Sequence, residues 1–321
     1  MIRVVVLGAT GFIGRNVAHA FAEDPAYSVA AVRHRRPAWA HPRIEWREAD
    51  LTSADDVARA LAGAEIVVHA AAATAGAGAN IADPLALVVD NQVMNARVFA
   101  AAHRLGVGHL VWFSCSIMYA SADRPQRETD FDPAAALHSA YRGAGTTKVY
   151  FERMAEWYAG LGKTKFTALR HSNIYGPHDK YDLGRSHFFG ATITKALTAR
   201  DGRIALWGAG TEGRDLLHVD DLVGAVRAAI GRQSTPFGLY NIGSGLAVPV
   251  ADVAARIAAL SGRPLAVTPD PSKPSIPVTI ALDCARAFAE LGWRPRVGLD
   301  EGIARTLDWW RTHRPTGEAP A

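Results

Sequence analysis

Three glycines within seven residues, in the segment Gly8-Ala9-Thr10-Gly11-Phe12-Ile13-Gly14, form the pattern best suited to binding a ligand. An apolar run at residues 4–7 precedes this segment, and a helical pattern follows it. Glycines permit a tight turn and close approach of the backbone to a pyrophosphate, and the following helix presents free N–H groups. This context predicts a dinucleotide site, with contacts from Gly8, Thr10, Gly11, Phe12, Ile13 and Gly14.

The residues about 20 positions after the glycine turn indicate which dinucleotide is bound. Folds that prefer NAD place an Asp or Glu there, against the ribose 2′-hydroxyl. This sequence instead has Val32-Arg33-His34-Arg35-Arg36. Guanidinium groups suit a 2′-phosphate through charge and bidentate geometry, and no carboxylate in the segment repels it. Arg33, Arg35 and Arg36 therefore predict NADP, with NAD as the alternative.

Two further strand ends carry weaker signals of cofactor binding. Asp50 and Leu51 end the third predicted strand and could face the adenine. Ala70 and Ala71 follow His69 at the end of the fourth predicted strand, where small side chains let the chain pass close to a cofactor.

Short apolar runs alternate with helical patterns and must position these residues. The predicted strands lie at 3–7, 28–32, 43–47, 66–69, 110–114 and 166–170, and the predicted helices at 13–23, 54–62, 90–104 and 145–160. This rhythm indicates an α/β fold, a Rossmann-type doubly wound parallel sheet with a smaller C-terminal α/β substrate-binding domain. We expect an NADP-binding domain at 1–175, joined by segments near 215–245, and a mainly substrate-binding domain at 176–321. Segment 264–277 contains five prolines and is predicted to be a loop.

Composition excludes several classes of protein. Of the 321 residues, 49% are hydrophobic, which excludes a disordered chain, and the net charge of +4 comes without a basic stripe for nucleic acid. The two cysteines, Cys115 and Cys284, exclude a disulfide scaffold, and no Cys/His spacing indicates a metal site. Without a long apolar stretch we expect no signal peptide and no membrane association, hence a cytoplasmic protein.

These motifs, together with three later segments, resemble the extended short-chain dehydrogenase/reductases that act on nucleotide sugars, the NAD-dependent epimerase/dehydratase family. The later segments are Arg170-His171-Ser172-Asn173-Ile174-Tyr175-Gly176-Pro177, Arg214-Asp215-Leu216-Leu217-His218-Val219-Asp220-Asp221 and Leu291-Gly292-Trp293. Residues 176–183, followed by Ser186 and His187, resemble the GDP-L-fucose synthase subfamily most. That resemblance implies epimerisation of a GDP-4-keto-6-deoxy sugar at C3 and C5, followed by reduction at C4 with NADPH.

The chemistry of this family rests on a Ser or Thr, a Tyr, and a Lys four residues after the Tyr. Lys148 matches the lysine, but Ala144 stands where the tyrosine is expected. Three explanations stay open: Ala144 is an engineered replacement; the enzyme uses another acid, such as Tyr141, His187 or Cys115; or the chain is catalytically silent. The glycines at 143 and 145 also make a regular helix around Ala144 doubtful.

A second departure lies at the end of the fifth predicted strand. Counted back from Tyr119, the catalytic Ser or Thr of the family falls on Cys115, and the subfamily's cysteine falls on Ile117, which is neither acid nor base. Cys115 is therefore a catalytic candidate or a small buried residue. Ser116 is a possible hydroxyl partner.

The resemblance also implies the residues that hold the sugar nucleotide. His187 matches a histidine that serves as acid and base during epimerisation, or it only binds the nucleotide sugar. Arg214 matches an arginine that binds the pyrophosphate, and Lys195 lies on the predicted helix after His187. Asn173 is predicted to orient the sugar or the nicotinamide, and His171 to contact the cofactor.

The sequence thus predicts an NADP-dependent enzyme that reduces or epimerises a nucleotide-diphosphate 4-keto sugar, a GDP-sugar in preference. One alternative is a nucleotide-sugar 4-epimerase with retained NAD(P), and another is a non-catalytic NADP-sensing binding protein. An apolar stripe on the predicted helix at 145–160 indicates core packing or a homodimer contact.

Overall fold

The apolar runs near the start of the chain form the centre of a parallel sheet. The computed structural model describes residues 1–73, 85, 88–184, 186–273 and 275–313. In that part of the chain, seven parallel strands lie in the order β10-β6-β5-β4-β1-β2-β3. Their bounds are β1 Ile2–Leu7, β2 Tyr27–Arg33, β3 Ile44–Glu48, β4 Ile66–His69, β5 His109–Cys115, β6 Lys165–His171 and β10 Phe237–Ile242.

Helices cover both faces of this sheet. Their bounds are α1 Phe12–Ala22, α2 Ala54–Leu61, α3 Val89–Leu105, α4 Ser139–Gly160, α5 Phe188–Thr198, α6 Val219–Arg232, α7 Val250–Leu260, α8 Ala285–Leu291 and α9 Leu299–His313. One face packs against α1 and α6, through residues such as Phe21 and Leu222, and the other packs against α2, α3 and α4, through residues such as Phe99 and Phe151. Coverage of both faces explains why the strands are apolar throughout. The fold is the predicted Rossmann-type doubly wound sheet.

The later part of the chain contributes two small sheets and a separate core. Strands β7 Asn173–Tyr175, β9 Gly213–His218 and β11 Ala247–Pro249 form one sheet, and β8 Arg203–Trp207 and β12 Ala266–Asp270 form the other. Tyr175, Phe189, Ile204, Ile257 and Leu307 are buried together in this core. Of the helices that the structure describes, none is long and apolar enough to cross a membrane.

Two local expectations were wrong. Helix α4 begins at Ser139 and runs without interruption through Gly143 and Gly145, because Gly145 packs closely against Met118 and the Ile117 carbonyl, and the face that carries Phe151 is buried. Part of segment 264–277 is a strand, since β12 pairs in parallel with β8. This sheet has only two strands, so both are edges, and a proline within an edge strand is tolerated.

Candidate active site

The glycine turn joins β1 to α1 in a close-packed arrangement. Gly8 has a φ of +76°, and a Cβ there would lie 2.6 Å from the Ala71 backbone nitrogen. A Cβ on Gly14 would lie 2.2 Å from the Gly8 carbonyl oxygen, and the Gly11 N–H donates to that same oxygen at 2.9 Å. Thr10, Phe12 and Ile13 are half-buried in the turn and the first helical turn. Gly11 precedes the helix without offering a side-chain cap. The first N–H groups of α1 therefore suit a dinucleotide pyrophosphate.

The basic segment after β2 is not free of carboxylates. The Arg33 guanidinium forms an ion pair with Glu48, which ends the neighbouring strand β3. As expected, residues 32–36 contain no carboxylate of their own. The fold nevertheless brings the Glu48 carboxylate to this segment, where it would repel a 2′-phosphate. Arg35 and Arg36 are exposed, and Asp50 lies 3.8 Å from the His34 ring nitrogen.

Of the two strand ends predicted to flank the cofactor, the one at Ala70 and Ala71 lies beside the glycine turn. An Asp50 carboxylate oxygen accepts from the Thr52 N–H at 2.9 Å and from the Thr52 hydroxyl at 2.7 Å, and these bonds lower the pKa of Asp50. Leu51 is buried, whereas Ala70 and Ala71 are half-buried. The Ala70 N–H donates to the Leu7 carbonyl, and this bond joins the end of β4 to the end of β1, just before the glycine turn.

Lys148 reaches the carboxyl end of β5 from helix α4. Its ammonium group donates to the Phe113 carbonyl at 2.7 Å and lies 4.6 Å from the centre of the Trp112 ring. Burial lowers the pKa of Lys148. Ala144 is half-buried one helical turn earlier, so α4 does present residue 144 beside the lysine.

Cys115 and His171 end the adjacent strands β5 and β6. Burial raises the pKa of the Cys115 thiol, and Lys148 acts in the opposite direction. Burial lowers the pKa of His171 to about 4. Ser116 is buried, and its carbonyl accepts from the Tyr119 N–H at 3.0 Å.

A buried polar network behind Cys115 was missed by the sequence analysis. The Arg170 guanidinium donates to both carboxylate oxygens of Glu152, at 2.9 and 2.6 Å, and both side chains are 4% exposed. The Ser114 hydroxyl donates to Glu152 at 2.6 Å, and Arg170 also donates to the Tyr119 hydroxyl at 2.7 Å. This network ties α4 to β5 and β6 at the residues next to the site. The signal for it was a glutamate one turn after Lys148 on an otherwise apolar helix face.

The predicted substrate residues fall into two groups. Asn173 and His187 lie at the starts of β7 and α5, whereas Arg214 and Lys195 already bond to backbone carbonyls. Asn173 lies at the start of β7, where its amide donates to the Asp215 carbonyl at 3.1 Å, and His187 precedes α5 and acts electrostatically on His171. Arg214 is already engaged, since it donates to the Ile276 carbonyl at 2.8 Å and to that of Val278. The Lys195 ammonium donates to the Ala205 carbonyl at 2.7 Å and is therefore tied to β8.

Tyr141 lies on α4 two turns before Lys148. Burial raises the pKa of Tyr141, and Arg214, Cys115 and Glu212 also act on its hydroxyl electrostatically. Two helical turns separate this phenol from the position of Lys148 on α4.

A doubly wound parallel sheet with a glycine turn after its first strand and a lysine at the ends of its central strands defines a dinucleotide-binding protein of the Rossmann class. The chain belongs to the NAD dependent epimerase/dehydratase family, whose family model matches residues 4–243.

Relatives in this family modify nucleotide sugars. A GDP-L-fucose synthase of Sinorhizobium fredii is 27% identical over 312 residues, which cover 95% of this chain and 94% of the relative. A dTDP-4-dehydro-6-deoxy-D-allose reductase from a Streptomyces species is 27% identical over 323 residues, 97% of both chains. Among solved structures, the UDP-glucose 4-epimerase of Thermus thermophilus in complex with NAD has a TM-score of 0.83 and 25% identity, covering 97% of this chain and 100% of the other.

Proposed function

We propose that this protein is an NADP-dependent enzyme that reduces or epimerises a nucleotide-diphosphate 4-keto-6-deoxy sugar, with a GDP-sugar as the favoured substrate. The observation that carries the proposal is the position of Lys148 near the end of β5, where its ammonium group donates to the Phe113 carbonyl and acts electrostatically on Cys115 and His171. The relatives named for nucleotide-sugar chemistry, one a GDP-sugar enzyme and one a dTDP-sugar enzyme, support the substrate class.

The residues present fit a nicotinamide dinucleotide. Gly8 and Gly14 leave no room for a Cβ, because the backbones of Ala71 and Gly8 already lie there, and the lack of side chains lets a pyrophosphate approach the backbone N–H groups of the turn. Lys148 would hold the nicotinamide ribose, and Ala70, Ala71 and His171 would line the path of the cofactor. When bound, such a cofactor supplies or accepts a hydride at the sugar carbon.

On the substrate side, each proposed residue has a separate task. Arg214 would bind the diphosphate by exchanging its backbone carbonyl partners for phosphate oxygens, which are better guanidinium acceptors. Asn173 would orient the sugar with its carboxamide oxygen. His187 would remove and return a proton at a carbon next to the keto group, because neutral imidazole suits that transfer.

For the cofactor, we expect NADPH to bind more tightly than NADH, with Arg33 and Arg35 supplying the preference. The double variant Arg33→Ala/Arg35→Ala should lose about 10- to 100-fold of NADPH affinity and little NADH affinity, because two charge-assisted contacts to a phosphate disappear. Titration of nicotinamide fluorescence measures both affinities. Equal affinities of the unmodified protein for the two cofactors would contradict the NADP assignment.

One observation favours a second candidate function, a nucleotide-sugar 4-epimerase with retained NAD. Glu48 already pairs with Arg33 at the adenosine end, and this carboxylate could serve a ribose 2′-hydroxyl. The solved 4-epimerase of similar fold was also determined with NAD.

A substrate assay separates these functions. Incubation with NADPH and a GDP-4-keto-6-deoxyhexose should oxidise NADPH, seen as a loss of absorbance, and yield a reduced sugar. Entry of solvent deuterium at C3 or C5 without NADPH oxidation would instead assign epimerisation alone. Conversion of a UDP-hexose to its C4 epimer without added cofactor would assign the 4-epimerase. Cofactor binding with none of these reactions would leave a non-catalytic NADP-sensing protein.

The proposal also includes a homodimer in the cytoplasm. Helices α3 and α4 pack against each other, and Val93, Tyr150 and Trp157 on their outer sides are exposed large apolar residues. Two such helix pairs would cover these side chains as a four-helix contact. We further propose that residues 1–175, with segments near 215–245, hold the cofactor, and that the rest of 176–321 mainly holds the sugar nucleotide.

A further inference from the structure

Cys115 and His171 are neighbours across two parallel strands. In the pairing of β5 with β6, Phe113 lies beside Leu169 and Cys115 lies beside His171. Paired residues of neighbouring strands point to the same face and are about 4.8 Å apart at the backbone. The Phe113 and His171 rings are 6.1 Å apart, so the imidazole lies over the same face as residues 113 and 115. The thiol and the imidazole therefore project side by side from the carboxyl end of the sheet.

The hydrogen bonds of His171 determine which ring nitrogen is available. Nδ1 lies 2.8 Å from the Ser172 carbonyl oxygen, which can only accept, so Nδ1 carries the proton. Nε2 then has a lone pair. Since burial lowers the pKa of His171 to about 4, the ring is neutral at pH 7 and can accept a proton at Nε2.

The surroundings of Cys115 suit a proton donor. Burial raises the pKa of the thiol, so the sulfur keeps its proton at neutral pH. Lys148 bonds the Phe113 carbonyl, two residues before Cys115, and its positive charge stabilises a thiolate once the proton has left. In the family, the positive charge of the lysine lowers the pKa of the catalytic tyrosine in the same way.

The two departures from the family pattern compensate each other chemically. Ala144 removes a phenol, whose ordinary pKa is about 10, and Cys115 introduces a thiol, whose ordinary pKa is about 8.5, where a much less acidic alcohol is expected. The site has lost one acid and gained another of similar strength.

We propose that Cys115 and His171 form a thiol–imidazole pair that transfers the proton to and from the sugar carbonyl oxygen, in place of the phenol absent at Ala144. This inference rests on the proposed function. In the direction of reduction, the S–H bond breaks and an O–H bond forms on the sugar, while the carbonyl carbon gains a hydride from a reduced nicotinamide dinucleotide. The electron pair of the S–H bond stays on sulfur as a thiolate. His171 Nε2 then takes a proton from solvent and passes it to the thiolate.

Turnover of three variants tests the role of Cys115. Cys115→Ser should lose at least about 100-fold in kcat, the typical contribution of a general acid. The double variant Cys115→Ser/Ala144→Tyr rebuilds the family's serine, tyrosine and lysine, and should recover most of that loss. Cys284→Ser, which changes the other cysteine, should turn over normally. Undiminished turnover in Cys115→Ser would overturn the proposal.

A chemical readout tests the pair without any substrate. In the Cys284→Ser background Cys115 is the only thiol, so the rate of its alkylation by iodoacetamide reports its ionisation. Both His171→Gln and His171→Phe should move the midpoint of the alkylation rate about one pH unit lower, since a neutral imidazole that accepts from the S–H group stabilises the protonated thiol. His187→Gln is the control and should move it much less. An unchanged profile in both His171 variants would overturn the pair even if the enzyme is active. A shifted profile in a protein that turns over none of the sugars would uphold the pair while the proposed function fails.

Discussion

Replacement of Glu152 by alanine is expected to lower the free energy of unfolding by about 3–5 kcal/mol, because it leaves the Arg170 guanidinium buried without its counter-ion. Both side chains are 4% exposed, so the guanidinium would lose its counter-ion in a place that is largely shielded from water. The Ser114 hydroxyl loses its acceptor in the same step. Urea unfolding at pH 7 measures the change.

The neighbouring residue in α4 provides a matched control. Arg153 pairs with Glu156 across one helical turn, but its side chain is 75% exposed. Arg153→Ala should therefore change the unfolding free energy by less than about 0.5 kcal/mol. If Glu152→Ala and Arg153→Ala have the same free energy of unfolding, the buried network does not contribute the stability assigned to it here. A double variant, Glu152→Met/Arg170→Met, should recover part of the lost stability, since no charge then remains buried alone.

Gly14→Ala is expected to weaken cofactor binding by about 100-fold. The new Cβ would lie 2.2 Å from the Gly8 carbonyl oxygen, and the backbone there cannot yield without moving the start of α1 away from the turn. Strain of this kind typically costs about 1–3 kcal/mol, and the upper value corresponds to the stated loss. Fluorescence titration with NADPH measures the affinity.

A second helical glycine separates this clash from the general effect of adding a methyl group. Gly231 lies near the end of α6, and a Cβ there would have nothing within 4 Å. Gly231→Ala should bind NADPH normally and stabilise the protein by about 0.5–1 kcal/mol, because alanine loses less backbone entropy in a helix. Normal NADPH affinity in Gly14→Ala would mean that the pyrophosphate does not bind at this turn.

The sequence was sufficient to predict the large sheet because its signals are local. The six predicted strands agree with β1 to β6, and the glycine turn lies between the predicted strand and helix. Local reasoning failed where packing outweighed propensity. Two glycines cost about 1 kcal/mol each in a helix, yet α4 continues through them because it buries Phe151 and Ala155 against the sheet.

Pairs of distant residues could not be found in the same way. Glu48 comes to Arg33 from a neighbouring strand, and Ile276 comes to Arg214 from a segment 62 residues later. Each arginine was recognisable from the sequence, but its partner depends on the order of strands and on loop paths, which no local pattern encodes. His171 is the instructive case, since its place beside Cys115 follows only from the pairing of β5 with β6.

The strand order also bears on how the chain folds as it is synthesised. Strand β6 ends at His171, but its outer neighbour β10 comprises Phe237–Ile242, so the ribosome must add about 70 more residues before that edge is covered. Until then, β6 presents unpaired backbone groups that can join a strand from another nascent chain. A protein truncated near residue 175 would keep this exposed edge permanently, and would be prone to aggregate even though it contains the whole glycine turn.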